Sequence, residues 1–377
     1  MTQRDIFLVA NEVNELGGVG RWQIQLATLL AERGHRVTVV GIAPPHHPMD
    51  LGERPPFRTE TLYARRPPSR PRPRRLLGSA DPAVRRHEAH MRKAAARLTE
   101  LFRAARPGAM IIVPQVWAME WVALADTAGH PVIGMTHESF DTCRKSSRFQ
   151  RVKKYFAPVD RLLALTQEDA DHWVGEGLTN VDFMPNPLPF LPDTPSPRSE
   201  KVVASIGRLS HEKGVDMLLD AWAEVAPRQP GWTLRIHGSG PAEQQLQQQC
   251  ADLGLQDSVD FAGQTDDVPG ALRASSLFVQ SSRGEGFPLS LLEAMACGVP
   301  CVAFDCAPGV REIITHEEDG LLARPGNTME LARHLVRLMS DQHLRDTFGE
   351  RALHTVRRFD PETITRRWEE LFDFLER

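Results

Sequence analysis

Two carboxylates stand out in SSRGEGFPLSLLEAMACGVP (281–300): Glu285 and Glu293 lie eight positions apart among glycine and apolar residues. A carboxylate in apolar surroundings is costly unless something answers it. Each can accept two hydroxyl hydrogen bonds, so a sugar and a ribose would suit the pair. Gly284 and Gly286 bracket Glu285, and Pro288 suits a first helical turn. Amides near Phe287, Leu289 and Ser290 are expected to stand free at that helix start.

Two other turns share this logic. In GRLSHEKG (207–214), Gly207 precedes Arg208 and Lys213, two cations five positions apart just before the next helix. Cations at a helix N-terminus oppose its dipole unless an anion joins them, which points to a diphosphate; two solvated loop charges are the alternative. In NEVNELGGVG (11–20), Gly17 and Gly18 open a helix near residue 19. Their G-G-x-G spacing is not the dinucleotide-binding G-x-G-x-x-G, and a tight turn explains it equally well. His137 closes the apolar run PVIGMTH (131–137), where a satisfied strand-end histidine is the simplest reading.

The elements that must position these residues are short β-branched runs alternating with helix-length segments. In the first half the runs are 6–10, 37–42, 110–114, 131–137 and 161–166; in the second they are 202–207, 233–238, 259–263, 277–282 and 301–305. Continuous rather than alternating apolar runs predict parallel sheets covered on both faces, hence an α/β chain with two doubly wound domains. Ligands of such sheets bind beyond the carboxyl ends of the strands, where all these turns fall. MPNPLPFLPDTPSPRSE (184–200) carries six prolines and reads as a stiff interdomain linker. Trp368, Leu371, Phe372 and Leu375 recur at helical spacing in the tail. Residues 43–81, with RRPPSRPRPRR (65–75), read as a solvated excursion or a basic flap meeting an anionic acceptor or the inner face of a membrane.

Composition narrows the classes. The chain has 377 residues, 41% hydrophobic and 25% charged, with a net charge of −4. That is an ordinary globular balance and speaks against whole-protein nucleic-acid binding. With five cysteines, no signal-peptide layout and no run near the ~20 apolar residues of a membrane span, a cytoplasmic protein with free thiols is expected. DAD (169–171), CGVPC (297–301) and HEEDG (316–320) lack convincing metal-ligand context, so no metal or other cofactor is expected.

Taken together, the E-x7-E pair, GGV (17–19), TH (136–137), GRLSHEKG, HGSGP (237–241), EAMACGVPCVAFD (293–305) and DGLLARPG (319–326) resemble the retaining glycosyltransferases of family 4. The resemblance spans nearly the whole chain, strongest over 200–330 and weakest over 43–106. It implies the GT-B architecture: two Rossmann-like domains facing a central cleft. Residues 1–190 would bind acceptor, 191–360 the nucleotide-sugar donor, and a helix in 361–377 would cross back to the first domain. By the same resemblance Arg208 and Lys213 neutralise the donor diphosphate, and Gly18, beside Gly17, closes on it. Glu285 faces the donor sugar, Glu293 holds the ribose, and His137 lies near the transferred sugar. Gly263, Gln264 and Thr265 lie against the base; the backbone at Gly286, Phe287, Pro288 and Leu289 faces sugar and phosphate. A hexose or N-acetylhexosamine from a UDP-sugar, delivered to a polysaccharide, a lipid-linked glycan or a small natural product, is the expected chemistry. A sugar-nucleotide epimerase, a silent binding protein and a dinucleotide oxidoreductase are the competing classes.

Overall fold

The computed structural model describes residues 3–69, 71 and 81–376. The chain divides into two compact units, residues 1–184 with 364–377, and residues 185–363.

The first unit is built on a seven-stranded parallel sheet. Its strands are β1 (Asp5–Ala10), β2 (Arg36–Gly41), β3 (Arg58–Thr61), β4 (Met110–Val113), β5 (Val132–Met135), β6 (Arg161–Ala164) and β7 (Val181–Phe183), in the order β3-β2-β1-β4-β5-β6-β7. The central strands β1, β4 and β5 are buried along their whole length, which is why they read as unbroken apolar runs. The edges are different. β3 is the polar RTET and β7 the three-residue VDF, neither of which carries an apolar run, and both escape the sequence reading.

The second unit repeats the plan with six parallel strands. These are β8 (Val202–Ile206), β9 (Thr233–His237), β10 (Val259–Gly263), β11 (Leu277–Gln280), β12 (Cys301–Phe304) and β13 (Gly320–Ala323), in the order β10-β9-β8-β11-β12-β13. Strand order therefore reverses direction between β1 and β4 in one sheet and between β8 and β11 in the other, the position where doubly wound sheets open a crevice.

Two expectations change. The 43–81 stretch is not merely a solvated excursion, because β3 pairs with β2 and both Phe57 and Tyr63 are buried. Tyr63 also accepts a hydrogen bond from the Trp121 indole at 3.1 Å. Of the basic segment 65–75, residues 70 and 72–75 lie outside the described residues; Arg66 pairs with Glu12 and stacks over Trp117. The proline-rich 184–200 segment, expected to be a stiff linker between domains, belongs from Pro185 onward to the second unit. The Ser196 amide and hydroxyl bond to the carbonyls of Cys297 and Ser275, and Leu188 donates to the Phe359 carbonyl. Its prolines suit an extended strap that needs few amide donors of its own.

The last helix, Pro361–Leu375, supplies its C-terminal part to the first unit. Trp368 is fully buried against Trp22 of the helix Gly18–Glu32, with ring centroids 6.4 Å apart, and against Phe372 at 5.9 Å. Arg33 and Glu369 add an ion pair at 2.8 Å. Trp368→Ala should lower stability by about 3–5 kcal/mol through loss of this buried ring. Urea unfolding checks it, and an unchanged midpoint would show that the tail does not support the unit.

Candidate active site

The second unit brings three of the sequence-singled residues together at the carboxyl ends of β8 and β11. After β8, Gly207 and the exposed Arg208 lead into a single 3-10 turn, His211–Lys213, and then the helix Val215–Val225. Gly214 joins turn and helix in the left-handed region (φ 62°), and a methyl group there would fall 2.1 Å from the Ser281 carbonyl oxygen. That close approach sets the turn against the loop after β11. The Ser281 hydroxyl also donates to the Lys213 carbonyl at 3.2 Å.

Lys213 Nζ consequently meets Glu285 Oε1 at 2.6 Å. The glutamate side chain is 9% exposed and the lysine side chain 35%. Ser282 Oγ donates to the same oxygen at 2.6 Å, and Gln280 Nε2 lies 3.4 Å away. Glu285 is thus held by a cation and a hydroxyl before any ligand arrives. The sequence anticipated Lys213 waiting for an anion and Glu285 for a sugar; the structure pairs them with each other. Gln280 and Ser282 were missed. Their signal was position alone, at the end of β11 and just before the glutamate.

The other second-unit residues singled out in the sequence lie on nearby loops and on the helix after β11. Pro288 is the cap preceding the helix Leu289–Ala296, with extended backbone, so it sits outside the helix rather than in its first turn. Phe287 is buried against Phe359 and its carbonyl accepts from Asn186 at 3.3 Å. A methyl group added at Gly309 would strike the Gly286 carbonyl at 1.9 Å, so the loop is fixed from below as well. Glu293 is 3% exposed inside the helix. Gly263 ends β10, Gln264 donates to Ser239 Oγ at 2.7 Å, and Thr265 Oγ1 accepts from the Asp267 amide.

In the first unit, Gly17 (φ 150°) caps the helix that begins at Gly18. Gln115, just past β4, donates to Glu15 at 2.6 Å and accepts from the Asn11 amide at 2.8 Å, tying together the loops after β1 and β4. Burial raises the Glu15 pKa above the usual carboxylate range. Strand β5 stops at Met135, so His137 lies in the following loop, its ring 4.4 Å from that of Trp22. The residue still reaches the surface in part, yet its Nε2 is buried without a hydrogen-bond partner. Burial pushes its pKa down to about 3.

Other polar motifs have structural work. Asp169 of DAD is buried and accepts from the Phe140 amide and the Thr166 hydroxyl. Cys297 and Cys301 are buried, with burial pushing both thiols up. Among the described residues no group of three His, Cys, Asp or Glu is arranged to hold a metal, and no helix is long and apolar enough to cross a membrane.

Residues 16–189 match the sequence model of Glycosyltransferase Family 4, and residues 190–355 that of Glycosyl transferases group 1. The chain belongs to the family 4-like glycosyltransferases. An uncharacterized glycosyltransferase of Haemophilus influenzae is 28% identical to this one, over 96% of this chain and 98% of the other. An exopolysaccharide phosphotransferase of Streptomyces coelicolor is 37% identical over 66% of this glycosyltransferase, a match spanning only 27% of that longer protein. HepE of Anabaena, solved in complex with UDP, shares the fold with a TM-score of 0.76 at 22% identity, covering 98% of this chain and 100% of that one.

A histidine whose folded pKa lies below its unfolded value of ~6.5 leaves the unfolded state binding more protons between those values. Stability is therefore full above pH ~6.5 and falls as pH drops towards 3. His137→Gln should flatten this acid-side loss relative to the wild type in urea unfolding from pH 7 to 4. Parallel pH profiles for the two proteins would contradict the buried neutral imidazole.

Proposed function

We propose that this chain is a retaining hexosyl- or N-acetylhexosaminyltransferase, taking its sugar from a UDP-linked donor and giving it to a hydroxyl of a polysaccharide or lipid-linked glycan precursor. The observation that carries the proposal is the Lys213–Glu285 pair at 2.6 Å, set at the β8–β11 switch point with Arg208 on the adjoining loop. One cation in reach of a carboxylate and a second on the same turn suit a ligand with a diphosphate beside a hydroxyl-bearing ring. The UDP bound by HepE supports the choice of nucleotide, and the exopolysaccharide named for the Streptomyces relative supports a glycan acceptor.

In the proposed reaction the bond between the anomeric carbon and the diphosphate oxygen breaks. The acceptor oxygen bonds to that carbon from the same face, and its proton passes to the departing phosphate. Arg208 and Lys213 stabilise the charge that develops on the leaving group, and no metal ion is needed for that task. Glu285 takes the sugar hydroxyls and Glu293 the ribose. The backbone of Gly286 to Leu289 faces sugar and phosphate. In the first unit, Gly17 and Gly18 offer amides from a helix N-terminus. His137, neutral, lies near the transferred sugar.

Lys213→Ala and Glu285→Gln should each reduce turnover at least ~100-fold, the scale of removing one preorganised charge-stabilising group. The readout is nucleoside diphosphate released from UDP-hexoses and UDP-N-acetylhexosamines with soluble and lipid-linked glycan acceptors, with circular dichroism confirming the fold. Near-normal turnover in either variant would remove the pair from the mechanism.

A further inference from the structure

The sheet of the second unit carries two polar side chains whose unpaired atoms the proposed reaction does not use. His237 closes β9 and Gln280 closes β11. Phe278 lies opposite Ala204 of β8, and Ala204 opposite Arg235 of β9, so these three share one row. Two residues further along each strand, Gln280, Ile206 and His237 make the next row on the same face. Leu234 and Ile236 of β9 point the other way, into the hydrophobic core.

Both ends of this row are unsatisfied. His237 is 9% exposed, and neither of its ring nitrogens has a hydrogen-bond partner. Gln280 uses its amide nitrogen on Ser290 at 3.2 Å, while its Oε1 is buried and unpartnered. Buried polar atoms are nearly always paired, so three in one row mark a place where a water or a ligand completes the bonding.

The surroundings of His237 favour a ligand. Register slips between Phe261 and Gly263, which puts Gly263 opposite His237. Gly263 has φ +72°, and a methyl group added there would meet nothing within 4 Å, so the space beside it is open. On the other side the Gly207 amide donates to the His237 carbonyl at 3.0 Å, one residue before Arg208. Along the strand ends the order is therefore Gly263, His237, Arg208 with Lys213, then Glu285. A nucleoside-diphosphate sugar has the same order: base, diphosphate, sugar.

We propose that His237 reads the base of the donor nucleotide and is a specificity-determining residue of this site. The inference rests on the donor-binding role proposed above for Arg208, Lys213 and Glu285. With the diphosphate on the Arg208–Lys213 turn and the sugar at Glu285, the base falls over β9 and β10. A neutral imidazole presents one donor and one acceptor, which match the polar edge of a base. Burial lowers the His237 pKa and keeps the ring in that form.

Equilibrium titration of the whole protein with UDP, GDP, ADP and inorganic pyrophosphate tests this, comparing wild type with His237→Leu and His237→Gln. For the nucleotide that wild type binds best, His237→Leu should weaken binding tenfold or more and narrow the spread among the three bases. Pyrophosphate should bind as it does to wild type, and His237→Gln should recover part of the loss. In wild-type protein with nitrogen-15-labelled histidine, one ring should shift with that nucleotide and not with pyrophosphate, a readout that needs no variant. Unchanged nucleotide affinities in a folded His237→Leu, with ring resonances indifferent to the base, would overturn the proposal and leave a histidine holding a buried water. Wild type that binds pyrophosphate as tightly as any nucleotide would overturn the base subsite alone. Wild type that binds none of the four would overturn the donor site and this inference with it.

Discussion

A parallel sheet whose strand order reverses about two central strands cannot cover the carboxyl ends of that pair, because the chains leaving them turn to opposite faces. The candidate site of the second unit depends on that constraint. β8 and β11 are the diverging strands, and the loops leaving them carry Arg208, Lys213 and Glu285. What turns an open notch into a site is one close packing contact. Gly214 lets the turn after β8 lie against the Ser281 carbonyl, and Lys213 then reaches Glu285. A largely buried carboxylate with a cation and a hydroxyl already in place is preorganised, so little reorganisation remains for ligand binding to drive.

The first unit shows the same constraint handled with different chemistry. Its diverging strands are β1 and β4, and Gln115 bridges the loops that follow them through Asn11 and Glu15. Behind this lies an aromatic column. Trp368 of the tail packs on Trp22, and Trp22 packs on the His137 ring. A helix contributed from the far end of the sequence thereby supports the wall against which His137 rests. Its burial, rather than a neighbouring charge, holds the imidazole neutral.

How much of this was legible in the sequence follows from where each signal resides. Buried central strands such as β1, β4, β8 and β11 are apolar on both faces, so they read directly as continuous runs. β3 is a short polar edge and β7 an edge of only three residues; the existence of both depends on a neighbour offering a free ladder, which no local pattern records. The six prolines of 184–200 correctly excluded helix and interior strand. They could not reveal that Ser196 and Leu188 fasten the segment to the second unit. Within the site, charges and glycines at strand ends were visible one by one, but the mutual pairing of Lys213 and Glu285 was not. Nor were Gln280 and Ser282 marked, since a glutamine or serine closing a strand looks like many others until the fold places it beside a carboxylate.

The central claim is that the loops at the carboxyl ends of β8 and β11 bind a nucleoside diphosphate through their cations without a metal. Thermal unfolding in excess EDTA with UDP, GDP, ADP, dTDP and NAD, each at millimolar concentration, tests it most directly. A ligand at a hundredfold its dissociation constant adds about 2.7 kcal/mol to the folded state, enough to raise the melting temperature by a measurable step. The account predicts a clear rise with a uridine diphosphate and none with NAD. No shift with any diphosphate would contradict it and leave Arg208 and Lys213 as ordinary loop charges.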